Sequence, residues 1–305
     1  MPHPALHLAV EIDGDGAHPA AWRRAAHEPG ALLTPRRTAR VAAVAENSGF
    51  TLVTLDDGIL PPGPAASGGP AGRIGAVERA AYIAASTSVL GVAPVVATTY
   101  AEPFHVSTRI ASLDHVSVGR AGWVLAVEDA PEAARAWGRP AVEGAAALRR
   151  EAVDGLTVSR DLWDSWEDDA VVRSVATSRY LDGSRLHYVD FVGETYRVKG
   201  PAIVPRPPQG RPVVLAPAGL VPPELVDVAL VDGPSPRCSG GRPPPRAPRW
   251  PSPSWRWRST PRRRPPPSGS PTWSATRPGT RRRAGRRSGC ATPAPPPAWW
   301  RSWRS

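Results

Sequence analysis

From Ser235 to Ser305 the chain contains no aliphatic residue larger than alanine and no Phe. Buried parallel strands are built from Val, Ile and Leu, so any core must come from residues 1–234. The same seam divides the charge. The last 71 residues hold 17 Arg, 17 Pro and 7 Trp and lack Asp, Glu and Lys, so the net charge of +11 splits into +17 there and −6 before it. Reading the whole chain as a basic, nucleic-acid-binding protein therefore fails. A mildly acidic domain precedes a basic, low-complexity tail.

The first 234 residues suffice for one core and one domain. Both cysteines, Cys238 and Cys290, lie in the tail. The domain thus has no disulfide framework, thiolate zinc site or Cys nucleophile, and no metal is expected. Met1 to Val10 lacks the basic and apolar halves of a secretory signal. No stretch reaches the ~20 apolar residues of a membrane span. The expectation is a cytoplasmic protein with no membrane contact.

Short apolar runs alternate with helical patterns, as βα units do. Strands are expected at Leu6–Ile12, Phe50–Leu55, Val89–Thr99, Arg120–Val127 and Pro212–Ala216, with a sixth inside Glu224–Asp232. Helices are expected over Thr38–Ser48, Arg73–Ser86, Phe104–Val116 and most of Glu132–Trp166. The alternation breaks at 167–210, where an acidic turn precedes a hairpin, HYVDFVGETYRV, with Gly193 near its bend. At least five βα repeats favour a (β/α) barrel over an open sheet.

Glu102–Trp123 (EPFHVSTRIASLDHVSVGRAGW) resembles a block of the bacterial-luciferase-like, flavin-dependent monooxygenases. Leu162–Val172 (LWDSWEDDAVV), the HYVDF–GE segment and Gly200–Val214 (GPAIVPRPPQGRPVV) are similar to the nitrilotriacetate monooxygenase component A branch. The resemblance runs from about Leu6 to about Asp232. It implies a (β/α)8 barrel of TIM type using reduced FMN from a separate NAD(P)H:flavin reductase. Its other reactants would be O2 and a small organic substrate, and a homodimer is compatible with it.

The resemblance also suggests site residues. Asp57, after strand two, matches an acidic position near the flavin; the bland reading of Asp56-Asp57-Gly58 is a solvated turn. Thr98 and Thr99 end strand three, where the family carries small hydroxyl residues against the flavin; a plain β-branched strand end is the alternative. His105, at the start of the next helix, is a weak candidate proton donor, with a capping or packing role favoured. His7 reads better as a core histidine than as a mouth residue. Trp123, Trp163 and Trp166 read as packing aromatics. Three stretches depart from the family. Val124–Glu128 replaces a polar strand-four end, Ala147-Leu148-Arg149-Arg150 replaces an Arg-Tyr pair at the flavin phosphate, and Ala218-Gly219-Leu220 replaces a Gly-Ser loop.

A TIM-type barrel takes about 250 residues. With 167–210 set aside as an insertion, 1–234 falls short of that, and the remaining strands are expected past residue 235. Two explanations of the tail stand. One is an Arg/Trp/Pro segment suited to phosphates and base stacking. The other is a slipped reading frame, because TGG-AGG-TGG (Trp-Arg-Trp) read one base out gives Glu/Val codons. Either way residues 238–305 are expected to be disordered, since like charges repel and Pro resists regular structure. The leading function is an FMN-dependent monooxygenase impaired by loss of its C-terminal half. The alternative is a non-catalytic binding protein on a degenerate barrel with a basic nucleic-acid-binding tail.

Overall fold

The apolar runs become six strands that all point the same way. The computed structural model describes residues 7–12, 14–15, 21–58, 60 and 72–231; the expected tail lies outside the described residues, as does Leu6. In chain order the elements are β1 (Ala9–Glu11), α1 (Pro35–Asn47), β2 (Leu52–Leu55), α2 (Ala76–Ser86), β3 (Gly91–Ala97), α3 (Pro103–Ser117) and β4 (Gly122–Ala126). Then come α4 (Pro131–Trp137), α5 (Ala145–Asp164), β5 (Val171–Ser174), β6 (Arg179–Leu181), β7 (Val189–Val192), β8 (Arg197–Gly200), β9 (Val213–Pro217) and β10 (Val228–Leu230).

The large sheet has the order β1-β2-β3-β4-β9-β10, parallel at every junction. Doubly wound sheets reverse direction at a switch point; this one never does, which is the winding of a barrel wall. Its register sets Val53 beside Val92, Val95 beside Val124 and Trp123 beside Val214.

Alternation then sorts the side chains. Val53, Leu55, Val92, Trp123, Leu125 and Val214 face the helices and form the main core with Ala42, Ala80, Ile83, Ile110 and Leu156. Ala93, Val124 and Leu215, with Leu52 and Val95, form a thin cluster on the other, concave face. Trp123 and Trp163 are buried edge to face at 6.4 Å and donate their indole N–H groups to Val96 O and Ser107 O. The tryptophans are packing residues, as expected.

Helix ends follow local chemistry. Pro103 occupies the first turn of α3, where its missing N–H costs nothing, and Glu102 accepts from His105 N at 2.9 Å. The helical stretch expected over most of Glu132–Trp166 is two helices, because Gly138 (φ 64°) ends α4 and Gly144 (φ 83°) precedes α5. His7 is neither a core nor a mouth residue. It lies before β1 and is exposed, because β1 is an edge strand.

Between α5 and β9 the chain forms two antiparallel hairpins, β5–β6 and β7–β8, where the sequence suggested only the second. They cover the far side of α5. Val158, Leu162 and Trp166 pack there with Val189, Val198 and Ala202 in a second small core.

Candidate functional site

In a parallel barrel wall the carboxyl ends of the strands gather at one rim, where chemistry resides. Asp57, Thr98 and Thr99 follow β2 and β3 and lie at that rim. The Asp57 carboxylate accepts from Ala76 N at 2.6 Å and from Gly58 N at 2.9 Å, so it caps α2 from the end of β2. Arg73 joins Asp56 at 3.2 Å and donates to Leu60 O. Arg79, 8 % exposed, donates to Asp56 O. Both carboxylates thus brace the segment leading into α2.

After β3, Thr98 turns to the helix side. Its hydroxyl contacts Ala126 O at 3.3 Å, and an added Cβ on Gly155 of α5 would lie 3.2 Å from its Cγ2. Glycine at 155 is what lets α5 approach the strand end. Thr99 is fully buried and its hydroxyl accepts from Glu128 N at 3.0 Å, tying the end of β3 to the end of β4. His105 is exposed on the first turn of α3, with its ring edge-on to Phe104. Arg149 is exposed at the start of the second turn of α5. The strand-four Glu128 accepts from Ala130 N at 3.0 Å.

Two rim clusters escaped the sequence reading. One centres on Glu151, 2 % exposed, which accepts from Tyr100 N at 3.1 Å and Tyr196 Oη at 2.5 Å and faces Arg139 at 3.6 Å. Burial first, and the Glu151 hydrogen bond second, push the Tyr196 phenol far above its ordinary value. The other cluster follows β1. His27 Nε2 lies 2.6 Å from Asp15 Oδ1, which Arg37 also reaches at 2.9 Å, while His27 Nδ1 faces Glu28 O at 2.9 Å. Both ring nitrogens meet acceptors, which suits the doubly protonated ring. The hydrogen bond to Glu28 O, then that to Asp15, raise its pKa. Buried acids and lone tyrosines 45 residues apart carry no periodic signal, which is why sequence patterning passed over the Glu151 cluster.

Parts of two blocks that carried the resemblance, Leu113–Trp123 and Pro205–Gln209, meet at the opposite rim. Fully buried Asp114 accepts from Gln209 Nε2 at 2.6 Å, Gln209 N at 3.0 Å and Ala121 N at 3.3 Å. Arg120 donates to Ala84 O, Leu90 O and Ser117 O at 2.7 to 2.9 Å. Two clefts of about 500 and 410 Å³ lie against the C-terminal end of α5, lined by Asp164, Glu167, Arg206 and by His187, Tyr188, Asp190 respectively. Neither includes a rim candidate. They are shallow, charged grooves, and the strand-end argument outweighs them. Among the described residues no group of three or more His, Cys, Asp or Glu side chains could hold a metal, and no helix is long and apolar enough to cross a membrane.

Known proteins match this arrangement. The luciferase-like monooxygenase family model matches residues 16–230. N-acetyl-S-(2-succino)cysteine monooxygenase of Bacillus subtilis is 32 % identical over 69 % of this chain and 47 % of its own length. Dibenzothiophene-sulfone monooxygenase of Rhodococcus erythropolis is 35 % identical over 71 % of this chain and 50 % of its own. The chain spans about half the length of the curated relatives it matches. Among solved structures, riboflavin lyase with modified FMN and riboflavin superposes with a TM-score of 0.63 at 27 % identity, over 70 % of this chain and 50 % of that one. Long-chain alkane monooxygenase superposes at 0.65 over 72 % of this chain and 53 % of that one, with 24 % identity, a likeness of fold. The chain belongs to the luciferase-like monooxygenase family.

Proposed function

We propose that the chain is the oxygenase part of a two-component flavin monooxygenase, taking reduced FMN from a separate NAD(P)H:flavin reductase. O2 and a small organic substrate complete the reaction. The carrying observation is the chemistry of the rim after β3 and β4. Its concave side offers small, uncharged Ala97 and Ala126 above Val95 and Val124, with buried Thr99 tying the two strand ends behind them. That surface suits a flat apolar ring. The 20-residue helix α5 starts without a side-chain cap and carries Arg149 one turn in, a donor set suited to an anionic tail. Asp57 fits as a brace rather than a direct ligand, since its oxygens are engaged with α2.

Bound reduced FMN would supply the activation of O2. The chain's own part is to bind and orient the ring and to keep water away. Water exclusion is the weak step. Among the described residues β1 and β10 are open edges of the sheet, and β10 is exposed along its whole length. The expected outcome is saturable quenching of FMN fluorescence, with reduced flavin oxidised largely to hydrogen peroxide and little coupled product. Absence of any quenching supports the flavin-free binding-protein reading instead. Coupled product per flavin oxidised, measured with a competent reductase, decides whether the chain is impaired.

A further inference from the structure

The turn after β3 is held in an uncommon conformation. Tyr100 has φ 64°, the left-handed region that a bulky residue seldom occupies, and is 3 % exposed. Such strain persists only where the surroundings over-determine it. Here they do. The Tyr100 N–H donates to Glu151 Oε1, its hydroxyl accepts from Val142 N at 2.9 Å, and the Arg139 guanidinium lies 5.7 Å from its ring centre.

The same Glu151 oxygen receives the phenol of Tyr196, which comes from the tip of the β7–β8 hairpin. That phenol also lies 3.1 Å from Ala101 O and 3.5 Å from Thr98 O. It has one proton, which goes to its shortest contact, the carboxylate. The hairpin tip is fastened to α5 besides: Thr195 donates from N and Oγ1 to Asp154 Oδ2, both at 2.7 Å, and Glu194 meets Arg150 at 3.2 Å. Gly193 permits this seat, because an added Cβ would fall 2.6 Å from Asp154 Oδ2. One buried oxygen therefore joins three elements: α5, the hairpin and the strained turn next to Thr98 and Thr99.

We propose that Glu151 and Tyr196 are positioning residues through which the β7–β8 hairpin sets the β3 turn, and with it the Thr98–Thr99 edge of the site. The flavin consequence rests on the function proposed above; the coupling of hairpin to turn does not. Without the phenol, Glu151 loses a charge-assisted bond and the hairpin loses its side-chain hydrogen bonds toward the β3 turn. The turn then relaxes and the Thr99–Glu128 bridge loosens.

The test uses the 305-residue chain with Tyr196→Phe, Glu151→Ala and Glu151→Gln. Amide exchange and FMN quenching are measured for each. Tyr196→Phe and Glu151→Ala should speed exchange at the Tyr100 and Glu128 amides about tenfold or more and weaken FMN binding, with exchange at Gly119 and Ala121, on the opposite rim, unchanged. Glu151→Gln keeps an acceptor oxygen, so it should restore both readouts. A merely structural role would speed exchange at both rims together. Parent-like exchange at Tyr100 in Tyr196→Phe, or a Glu151→Gln variant as poor as Glu151→Ala, overturns the proposal. A parent chain that leaves FMN fluorescence untouched defeats the flavin reading alone, and exchange at Tyr100 still decides the latch.

Discussion

The two rims of the sheet use polar side chains differently. At the amino-terminal rim, Asp114, Arg120 and Glu46 spend themselves on backbone groups of neighbouring βα units. Glu46 of α1 accepts from Ser88 N, Val89 N and Leu90 N, just before β3, and Arg120 holds the carbonyls that end α2. Those ties stack one unit on the next. At the carboxyl-terminal rim the acids hold the connections that follow the strands instead. Asp57 braces the approach to α2, and Glu151 binds both the turn after β3 and Tyr196 of the β7–β8 hairpin, far later in the chain. One rim is a scaffold that any member of the fold needs. The other is built from connections that vary with the chemistry, as barrels divide stability from function.

The largest effect should come from the scaffold rim. Asp114→Ala removes a fully buried carboxylate that accepts from buried Ala121 N and from two donors of the exposed Gln209. It should cost on the order of 3 kcal/mol, read as a lower urea midpoint, with Asp114→Asn milder because an amide oxygen still accepts. A loss no larger than that of a surface substitution would erase the contrast between rims. Arg120→Lys comes next. A single ammonium cannot span Ala84 O, Leu90 O and Ser117 O as the guanidinium fork does, so about 2 kcal/mol should go.

What could be read from sequence follows the same division. Strand runs such as Gly122–Ala126 are buried on both faces, so composition alone marks them. The motif blocks at Leu113–Trp123 and Pro205–Gly210 made the family legible, and the structure joins them through Asp114 and Gln209. Asp57, Thr98 and Thr99 could be placed at strand ends, but not oriented. Whether Thr98 faces the concave side or Gly155 depends on one residue of register and on where α5 approaches. Glu151 and Tyr196 were invisible because their meeting depends on the seating of a hairpin, a tertiary event with no local pattern. The β5–β6 hairpin was missed for a related reason: its faces are mostly exposed, so no alternation marks it.

Asp57 sharpens the comparison at the functional rim. As a brace on the α2 N-terminus it is a cap supplied from a distance, and caps are worth about 1 kcal/mol. Asp57→Ala should lower stability by that amount, and Asp57→Asn by less. If the carboxylate only braces, FMN quenching by Asp57→Asn should match the parent. A large loss of flavin affinity at unchanged melting temperature would instead make Asp57 a ligand and move it from the bracing class to the binding one.

The smallest effect is one of pH, and it has opposite sign at the two rims. Hydrogen bonds from Val89 N, then Ser88 N and Leu90 N, with Arg120 nearby, hold the Glu46 carboxylate below its ordinary 4.5. Its folded pKa is depressed, so its contribution is present above 4.5 and is lost as pH falls through the folded value. His27, between Glu28 O and Asp15 with Arg37 opposing, is raised above 6.5. Its contribution is complete below 6.5 and is lost as pH rises through the raised value. Both ties are therefore at full strength between 4.5 and 6.5, the amino-terminal rim loosening on the acid side and the loop after β1 on the alkaline side. Glu46→Gln should flatten the acid limb of a stability–pH profile and leave the alkaline limb intact; His27→Gln should do the reverse. Each group is partly exposed, so added salt should shrink both limbs. Amide exchange followed across the same pH range assigns the limbs to their rims: alkaline loosening must appear at Asp15 and Arg37, and acid loosening at Ser88 to Leu90. A single limb shared by both variants would mean that the rims titrate as one body, and the division between scaffold and site would fail.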